Sequence, residues 1–180
     1  GSLAFGGAPT ASGTVTAYIG GRKVQIGATT TDTPATLATA FAAAVNANTA
    51  LPVNAAVDGT TTSKVNLTAR NKGEAGNGID VRMNYYGEAL PAGLTTTIVL
   101  PTGGTGNPDI APAIAALGDE WFQTIAMPYT DASNLSLLEA ELSSRFGPMR
   151  EIEGHAFAAA YGTHSALGTL GGSRNSPHLT

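Results

Sequence analysis

The pattern of apolar residues changes near residue 100, and this change most limits the folds open to the chain. Before it, short strand-like runs surround a single helical stretch; after it, strand-like and helical segments alternate. Strand–helix alternation is the signature of a parallel sheet with right-handed crossovers. The sequence therefore predicts a mixed α+β and α/β fold, with a strand-rich region at 14–100 and an alternating parallel-sheet region at 101–180.

The strand-rich region contains a predicted hairpin and one clear helix. Residues 14–19 and 23–28 flank Gly20-Gly21-Arg22, a glycine-led turn signal. Thr33 is placed to cap a helix that begins at Pro34. Apolar residues at helical spacing predict that its buried stripe consists of Leu37, Ala40, Phe41, Ala44 and Val45. Further strands are predicted at 53–57, 64–70 and 79–86.

The alternation of strands and helices begins at about residue 95 and has three predicted strands, each followed by a helix. The first strand lies at the boundary of the two regions, and the sequence leaves open which sheet it joins. The strands are expected at 96–100, 121–127 and 155–161, and the helices at 108–118, 131–146 and 163–170. In the longest helix, Leu135, Leu138 and Leu142 mark the buried face, and Glu141 can pair with Arg145. Trp121 and Phe122, at the start of an apolar strand, are expected in the core. Residues 176–180 are expected to enter a further strand.

Both ends of the sequence indicate an excised fragment. Gly1 and Ser2 resemble a cloning scar, so residues 1–13 are interpreted as a tag and linker. The other end, Pro177 to Thr180, stops where extended structure is expected to begin. The alternating region is therefore expected to be truncated at its C-terminus.

The chain has few charged residues. Its 12% charged fraction is about half the usual share of roughly 25%. A neutral surface fits a protein that meets neighbours, and it equally fits a threonine-rich β surface. The net charge is -4 and the nine basic residues are scattered, so nucleic-acid binding is not expected. No run of about 18 apolar residues occurs, so direct membrane insertion is not expected either.

Several local patterns resemble reactive sites but fail in detail. The turn at 103–106 suggests a dinucleotide-binding loop, yet Asp109 stands where the third glycine should be. That carboxylate, at a helix N-terminus, occupies the position a phosphate would need. His164 and Ser165 are adjacent on a predicted helix, so their side chains diverge by about 100°. No cysteine is present, which excludes thiolate catalysis and cysteine-based metal sites.

The remaining polar candidates have simpler explanations. His155, His164 and His178 lack the i, i+4 spacing that brings two imidazoles together on a helix. The acidic pairs Asp119-Glu120 and Glu151/Glu153 are typical of solvated turns. Asn66 and Asn134 lie in glycosylation sequons inside a predicted strand and helix, and these are interpreted as chance matches. The sequence therefore predicts no catalytic, cofactor-binding or metal-binding residues.

Six short motifs follow one another within residues 104–180: GNPD, ALGDEW, PYTD, RFGPMR, GHAFAA and RNSPH. With these motifs, residues 104–180 resemble the tail sheath proteins of Mu-like contractile-tailed phages and prophages. The upstream segments TVTAYIGGRKVQI, TLATAFAAAVNAN, LTARNKGEAGNGIDVRMNYYGE and LPAGL also resemble that family. The similarity therefore extends over nearly the whole chain.

The resemblance implies a structural subunit without cofactor or catalysis. Sheath subunits stack in helical rings around a tail tube and contract to drive it through a host envelope. The implied partners are other sheath subunits, the tail tube and the baseplate, and the implied location is the virion after synthesis in the bacterial cytoplasm. Residues 101–180 would belong to the core sheath domain, and 14–100 would be a surface elaboration of it.

Sheath subunits are considerably longer than this chain, and their terminal arms link neighbours by adding strands. The isolated fragment is therefore expected to be monomeric. Two other classes stay open at this point. One is a carbohydrate-binding or adhesion module, whose aromatic platform would come from Tyr85-Tyr86. The other is a small α/β enzyme without a recognisable active site.

Overall fold

A computed structural model describes residues 1–180, the whole of the chain. The chain forms two compact units, Gly1–Gly106 and Asn107–Thr180. The first is strand-rich with one α-helix, and the second alternates helices with a two-stranded parallel sheet. This arrangement confirms the predicted mixed fold. The sequence placed the boundary at residue 100, whereas the first unit includes the glycine-rich turn that follows.

The first unit contains two antiparallel sheets. Its strands are β1 (Ser2–Gly6), β2 (Gly13–Ile19), β3 (Arg22–Ala28), β4 (Val53–Val57), β5 (Lys64–Ala69), β6 (Val81–Met83) and β7 (Thr95–Val99). One sheet has the order β4-β5-β1-β7 and the other the order β3-β2-β6. A 3-10 helix at Glu74–Gly78 precedes β6. The predicted strand at 79–86 is much shorter than expected, because Asn84 turns the chain with φ 51°.

The predicted hairpin is confirmed, and its register follows from two glycines. Ile19 pairs with Arg22, which leaves Gly20 and Gly21 as a two-residue turn. Both have positive φ, 55° and 75°. A two-residue turn with positive φ at both positions matches the twist of antiparallel strands, and glycine adopts it without strain.

The first helix, α1 (Pro34–Ala47), begins where the sequence predicts. The Thr33 hydroxyl accepts a hydrogen bond from the Thr36 backbone N–H at 3.2 Å, and the Thr36 hydroxyl accepts one from the Thr33 N–H at 2.9 Å. Leu37, Phe41 and Val45 are buried as expected. The alanines of the predicted stripe differ from expectation. Ala38 and Ala42 face the core, whereas Ala44 is half-buried and Ala40 is exposed. Alanines flank the stripe on both sides, so spacing alone does not decide which side is buried.

The segment interpreted as a tag and linker differs most from expectation. Residues 2–6 form β1, which lies between β5 and β7 in the four-stranded sheet. Leu3 and Phe5 of this strand are buried, and the Phe5 ring contacts Phe41 edge to face at 5.9 Å between centroids. Residues 2–6 are therefore part of the hydrophobic core of the first unit.

The second unit consists of α2 (Ala111–Leu117), β8 (Thr124–Met127), α3 (Ala132–Phe146), β9 (His155–Ala158) and α4 (His164–Gly172). Strands β8 and β9 are parallel, as predicted, and Thr124 pairs with His155. Both strands are shorter than predicted, and α4 continues through the two glycines that were expected to close it. The strand at 95–99 is not part of this sheet, because β7 pairs antiparallel with β1.

Helix α3 packs on the parallel sheet. Asp131 caps its N-terminus by accepting a hydrogen bond from the Asn134 N–H at 3.1 Å. Its buried leucines are those that the sequence predicts, and they contact Met127 and Ala156 of the sheet. The expected Glu141–Arg145 pair is present, with 3.6 Å between Oε1 and Nη1. None of the helices is both long enough and apolar enough to cross a membrane.

Candidate interaction surface

The parallel sheet of the second unit is packed on one face only. Met127 and Ala156 are buried on the face that contacts α3. Thr124, Ala126 and Phe157 point the other way and are exposed. Parallel sheets are usually covered on both faces. The outward side, with Phe157 51% exposed, is therefore a surface suited to covering by another segment or subunit.

The sheet continues beyond β9 into the last residues of the chain. The Ala156 N–H donates to the His178 carbonyl at 2.7 Å, and the Thr180 N–H donates to the Ala156 carbonyl at 3.0 Å. Ala158 donates to Thr180 in the same way at 2.8 Å. The predicted final strand is thus present as a short parallel ladder. Strand β9 is central, and β8 lies at an edge of the sheet.

Several large apolar side chains of the second unit are exposed. Trp121 is 61% exposed and Phe122 43%, which corrects the expectation that both lie in the core. The reason is that β8 begins only at Thr124, so the alternation that buries Met127 does not extend back to them. Other large exposed side chains of this unit are Phe146, Met149, Phe157 and Tyr161. Exposed apolar side chains mark interaction sites when they form a contiguous patch, whereas single ones are normal on protein surfaces.

A groove of about 520 Å³ opens at the N-terminal ends of β8 and β9. One aromatic contact lines it, between Phe146 and His178 at 5.2 Å between centroids. The His155 ring also lines the groove and packs on Phe157 at 4.9 Å between centroids. In open α/β sheets, ligands bind outside the carboxyl ends of the strands. This groove lies at the opposite end, so it does not have the usual placement of an α/β enzyme site.

The crevice at the carboxyl ends is mainly apolar and has a volume of about 370 Å³. Its charged residue is Arg174, whose Nη1 lies 3.2 Å from Glu139 Oε2 and donates to the Ser136 hydroxyl at 3.1 Å. The guanidinium is thus engaged by α3. The groups brought together here suit packing of an apolar segment more than bond cleavage.

The three histidines do not come together in one site. The His155 Nε2 atom is 2.8 Å from the Thr180 hydroxyl, while the His178 ring packs on Phe146. His164 and Ser165 are exposed in the first turn of α4, which Thr163 caps through its contact with the Ala166 N–H at 3.3 Å. No group of three or more histidine or acidic side chains is arranged to hold a metal ion. That the chain has no catalytic residues stays a prediction.

The acidic residues mainly stabilise loops and helix ends. Asp119 Oδ1 pairs with Arg150 Nη2 at 2.9 Å, and Asp109 Oδ1 accepts a hydrogen bond from the Ala111 N–H at 2.9 Å. In the first unit, the Gly104 N–H donates to Asn77 Oδ1 at 2.8 Å. A backbone donor of the glycine-rich turn is therefore already occupied. Glu151 adopts positive φ in the loop before β9.

The Asp131 carboxylate accepts several hydrogen bonds in the loop before α3. Burial acts to raise the pKa of Asp131, but hydrogen bonds from Ser133, Asn107 and Asn134 outweigh it and hold that pKa well below its ordinary value. Asn134, one of the two sequon residues, is itself buried, and its Nδ2 also donates to the Pro108 carbonyl at 3.0 Å. This network fixes the segment around Pro108 against the start of α3.

The part of the chain that contains the parallel sheet is similar to known proteins. Residues 103–180 match the family described as the phage tail sheath protein central domain. Residues 103–180 are thus similar to that domain. Over 176 residues, the chain is also 42% identical to the Mu-like prophage FluMu tail sheath protein of Haemophilus influenzae strain Rd. The resemblance inferred from the sequence is confirmed.

The residues that match the tail sheath central domain include the whole second unit and the turn at 103–106 that precedes it. The match to the FluMu protein covers 97% of this chain and 36% of that protein, so the strand-rich first unit is part of the similarity too. The chain spans about a third of the relative's length. Tail sheath proteins are structural, and this supports the expectation that the chain is not an enzyme.

Proposed function

We propose that this chain is part of a structural subunit of a contractile phage tail sheath. The subunit assembles helically around a tail tube and contracts to drive the tube through the host envelope. The observation that carries the proposal is the match of residues 103–180 to the sheath central domain, together with 42% identity to a prophage sheath protein.

The sheet of the second unit supports this role physically. Phe157 is exposed on the outward face of this sheet. The edge strand β8 pairs with β9 on one side, which leaves its other side open. An edge strand presents unpaired backbone groups to which another chain can add a strand. Backbone pairing tolerates rearrangement of the side chains around it, which suits links that persist while a sheath changes its helical form.

The proposed partners are other sheath subunits, the tail tube and the baseplate. The sparse charge of the chain agrees with surfaces that meet neighbours, since interspersed charge normally keeps small domains apart. We place the assembled protein in the virion tail, after synthesis in the bacterial cytoplasm. The alternative of a small α/β enzyme is less well supported, because the carboxyl-end crevice is mainly apolar and its arginine is engaged.

Electron microscopy of the full-length sheath protein that contains this chain tests the proposal. We expect tubes for the unmodified protein and a loss of tubes for Phe157→Glu, which places a charge on the uncovered face. Tyr86→Glu, on an exposed side chain of the first unit, is the matched control and should still give tubes. The proposal fails if the unmodified protein forms no tubes in the presence of tail tubes. If Phe157→Glu forms tubes equally well, the uncovered face of the sheet does not take part in assembly.

A further inference from the structure

Three tyrosines form a packed group in the first unit, and we call it the tyrosine cluster: Tyr18, Tyr85 and Tyr86. The Tyr86 ring packs edge to face on Tyr18 and on Tyr85, with centroids 5.2 and 4.9 Å away. Tyr18 is buried, whereas Tyr85 is 55% exposed and Tyr86 is 75% exposed. Tyr18 and Tyr85 therefore hold the Tyr86 ring in place, while most of that ring is exposed to solvent.

Glu88 fixes the geometry of this cluster. One carboxylate oxygen accepts a hydrogen bond from the Tyr18 hydroxyl, and the other accepts one from the Tyr86 N–H at 3.0 Å. Asn84 and Gly87, with positive φ, turn the chain on either side of the two exposed tyrosines. The rings are thus positioned before any ligand arrives, which lowers the conformational entropy lost on binding.

A shallow cavity of about 190 Å³ lies against the cluster, and Gly21, Asp80 and Arg82 complete its lining. Arg82 Nε is 2.6 Å from Asp80 Oδ2, and its guanidinium carbon lies 5.0 Å from the Tyr85 ring centroid. Small-molecule pockets usually measure about 300 to 1,000 Å³. This cavity is smaller, so it suits a single ring of a longer molecule.

The charged side chains around the cavity make it poorly suited to bind ions. Asp80 is balanced by Arg82, and Glu88 lies 3.9 Å from Lys23 Nζ, so little net charge remains to attract phosphate or metal. Arg82 also occupies the Tyr85 face that a quaternary ammonium group would need. What remains is an exposed aromatic surface beside planar groups that donate and accept hydrogen bonds.

We propose that this cavity binds one pyranose ring of a neutral glycan. The apolar C–H face of the sugar would pack on Tyr86, while its hydroxyls would hydrogen-bond to Asp80 and Arg82. A sugar combines an apolar face with a polar rim, as the cavity does. The core of a protein interface is usually depleted in charged residues, and here an acid and a base line the cavity, so a sugar fits better than a protein partner.

Titration of the purified 180-residue chain with neutral hexoses and N-acetylhexosamines, followed by NMR of the tyrosine rings, tests this site. We expect saturable shifts confined to the tyrosine cluster for at least one of these sugars, and binding to neutral glycans containing it on an array. Tyr86→Ala should weaken binding at least tenfold, whereas Tyr86→Phe, which keeps the ring, should stay within threefold. Asp80→Asn should weaken binding several-fold.

Tyr161→Ala is the control, because Tyr161 is a fully exposed tyrosine of the other unit. It should bind like the unmodified chain. Absence of saturable shifts with every sugar overturns the proposal, as does full binding by Tyr86→Ala. A dimer in sedimentation that disappears in Tyr86→Ala would also overturn it, since the cluster would then be a contact between two copies. Because none of these readouts involves tubes, the sheath proposal stands or fails separately.

Discussion

The Arg145 side chain donates a hydrogen bond from Nη1 to the Gly118 backbone carbonyl at 2.7 Å, although Arg145 is only 2% exposed. Its other terminal nitrogen donates to the Glu120 carbonyl. The guanidinium thus joins the end of α3 to the loop that follows α2. Glu141 lies 3.6 Å away and also pairs with Arg150 at 3.0 Å, so the buried charge is balanced.

Replacing Arg145 by Met should lower the free energy of unfolding of the second unit by about 3 kcal/mol, because two loop carbonyls lose their donor. Urea denaturation followed by Trp121 fluorescence measures this, since the single tryptophan lies in that unit. Arg82→Met, at a half-exposed ion pair of the first unit, should change stability by less than about 1 kcal/mol when unfolding is followed by circular dichroism. Equal effects of the two substitutions would contradict the role given to Arg145.

Phe41→Ala should cost about 3 to 5 kcal/mol, because Phe41 is fully buried and its loss leaves a cavity beside Phe5. Circular dichroism during urea denaturation gives the value. Ala40→Gln, on the exposed side of the same helix, should be within about 0.5 kcal/mol of the unmodified chain. A near-neutral Phe41→Ala would mean that the stripe of α1 is not the core-facing side.

Asp131→Asn should destabilise the second unit at neutral pH and have little effect in acid. The pKa of Asp131 is depressed in the folded chain, so its contribution is present above the unfolded pKa of roughly 4 and is lost as pH falls toward the folded pKa. Denaturation midpoints of variant and unmodified chain should therefore begin to converge at about pH 4 and approach each other further as the pH falls. Ser133→Ala, which removes one donor to Asp131, should show a smaller version of the same pH dependence. A gap that stays constant with pH would disprove the charge effect.

Tyr18 should ionise late in an alkaline titration. The hydrogen bond to Glu88, burial and the Glu88 charge together raise the pKa of Tyr18 to about 12. The stabilisation is present below the unfolded pKa of roughly 10 and is lost as pH rises from there to about 12. Tyrosinate absorbance should show a late transition that Tyr18→Phe abolishes and Glu88→Gln moves to lower pH. If Glu88→Gln leaves that transition in place, Glu88 does not hold the cluster.

We expect the isolated 180-residue chain to be a monomer at micromolar concentration. Stable specific interfaces usually bury more than about 1,000 Å² of well-packed surface, and strand exchange by longer arms would supply most of the links in a sheath. Sedimentation velocity of this chain beside the full-length protein measures the difference. Rings or filaments formed by the chain alone would mean that the faces of its two units hold a sheath together.

Local signals in the sequence were enough for several elements. Two adjacent glycines determined the hairpin turn, a threonine and proline determined where α1 begins, and leucines at helical spacing determined the buried face of α3. These signals act over a few residues, so they work before any tertiary contact forms. The ordered motifs of residues 106–178 likewise sufficed for the family.

The tertiary structure alone decided how distant segments pair. Strand β1 joins residues 2–6 to partners near residues 65 and 97, and backbone hydrogen bonds of this kind carry no side-chain signal. The same holds for β7: the sequence left open which sheet takes this strand, and its antiparallel pairing with β1 decides it. Arg145 could be recognised as a partner of Glu141 but not as a buried donor, since its carbonyl acceptors lie 25 and 27 residues away. Sequence spacing thus determined the elements, while long-range backbone pairing and burial decided which side chains became core, surface or site.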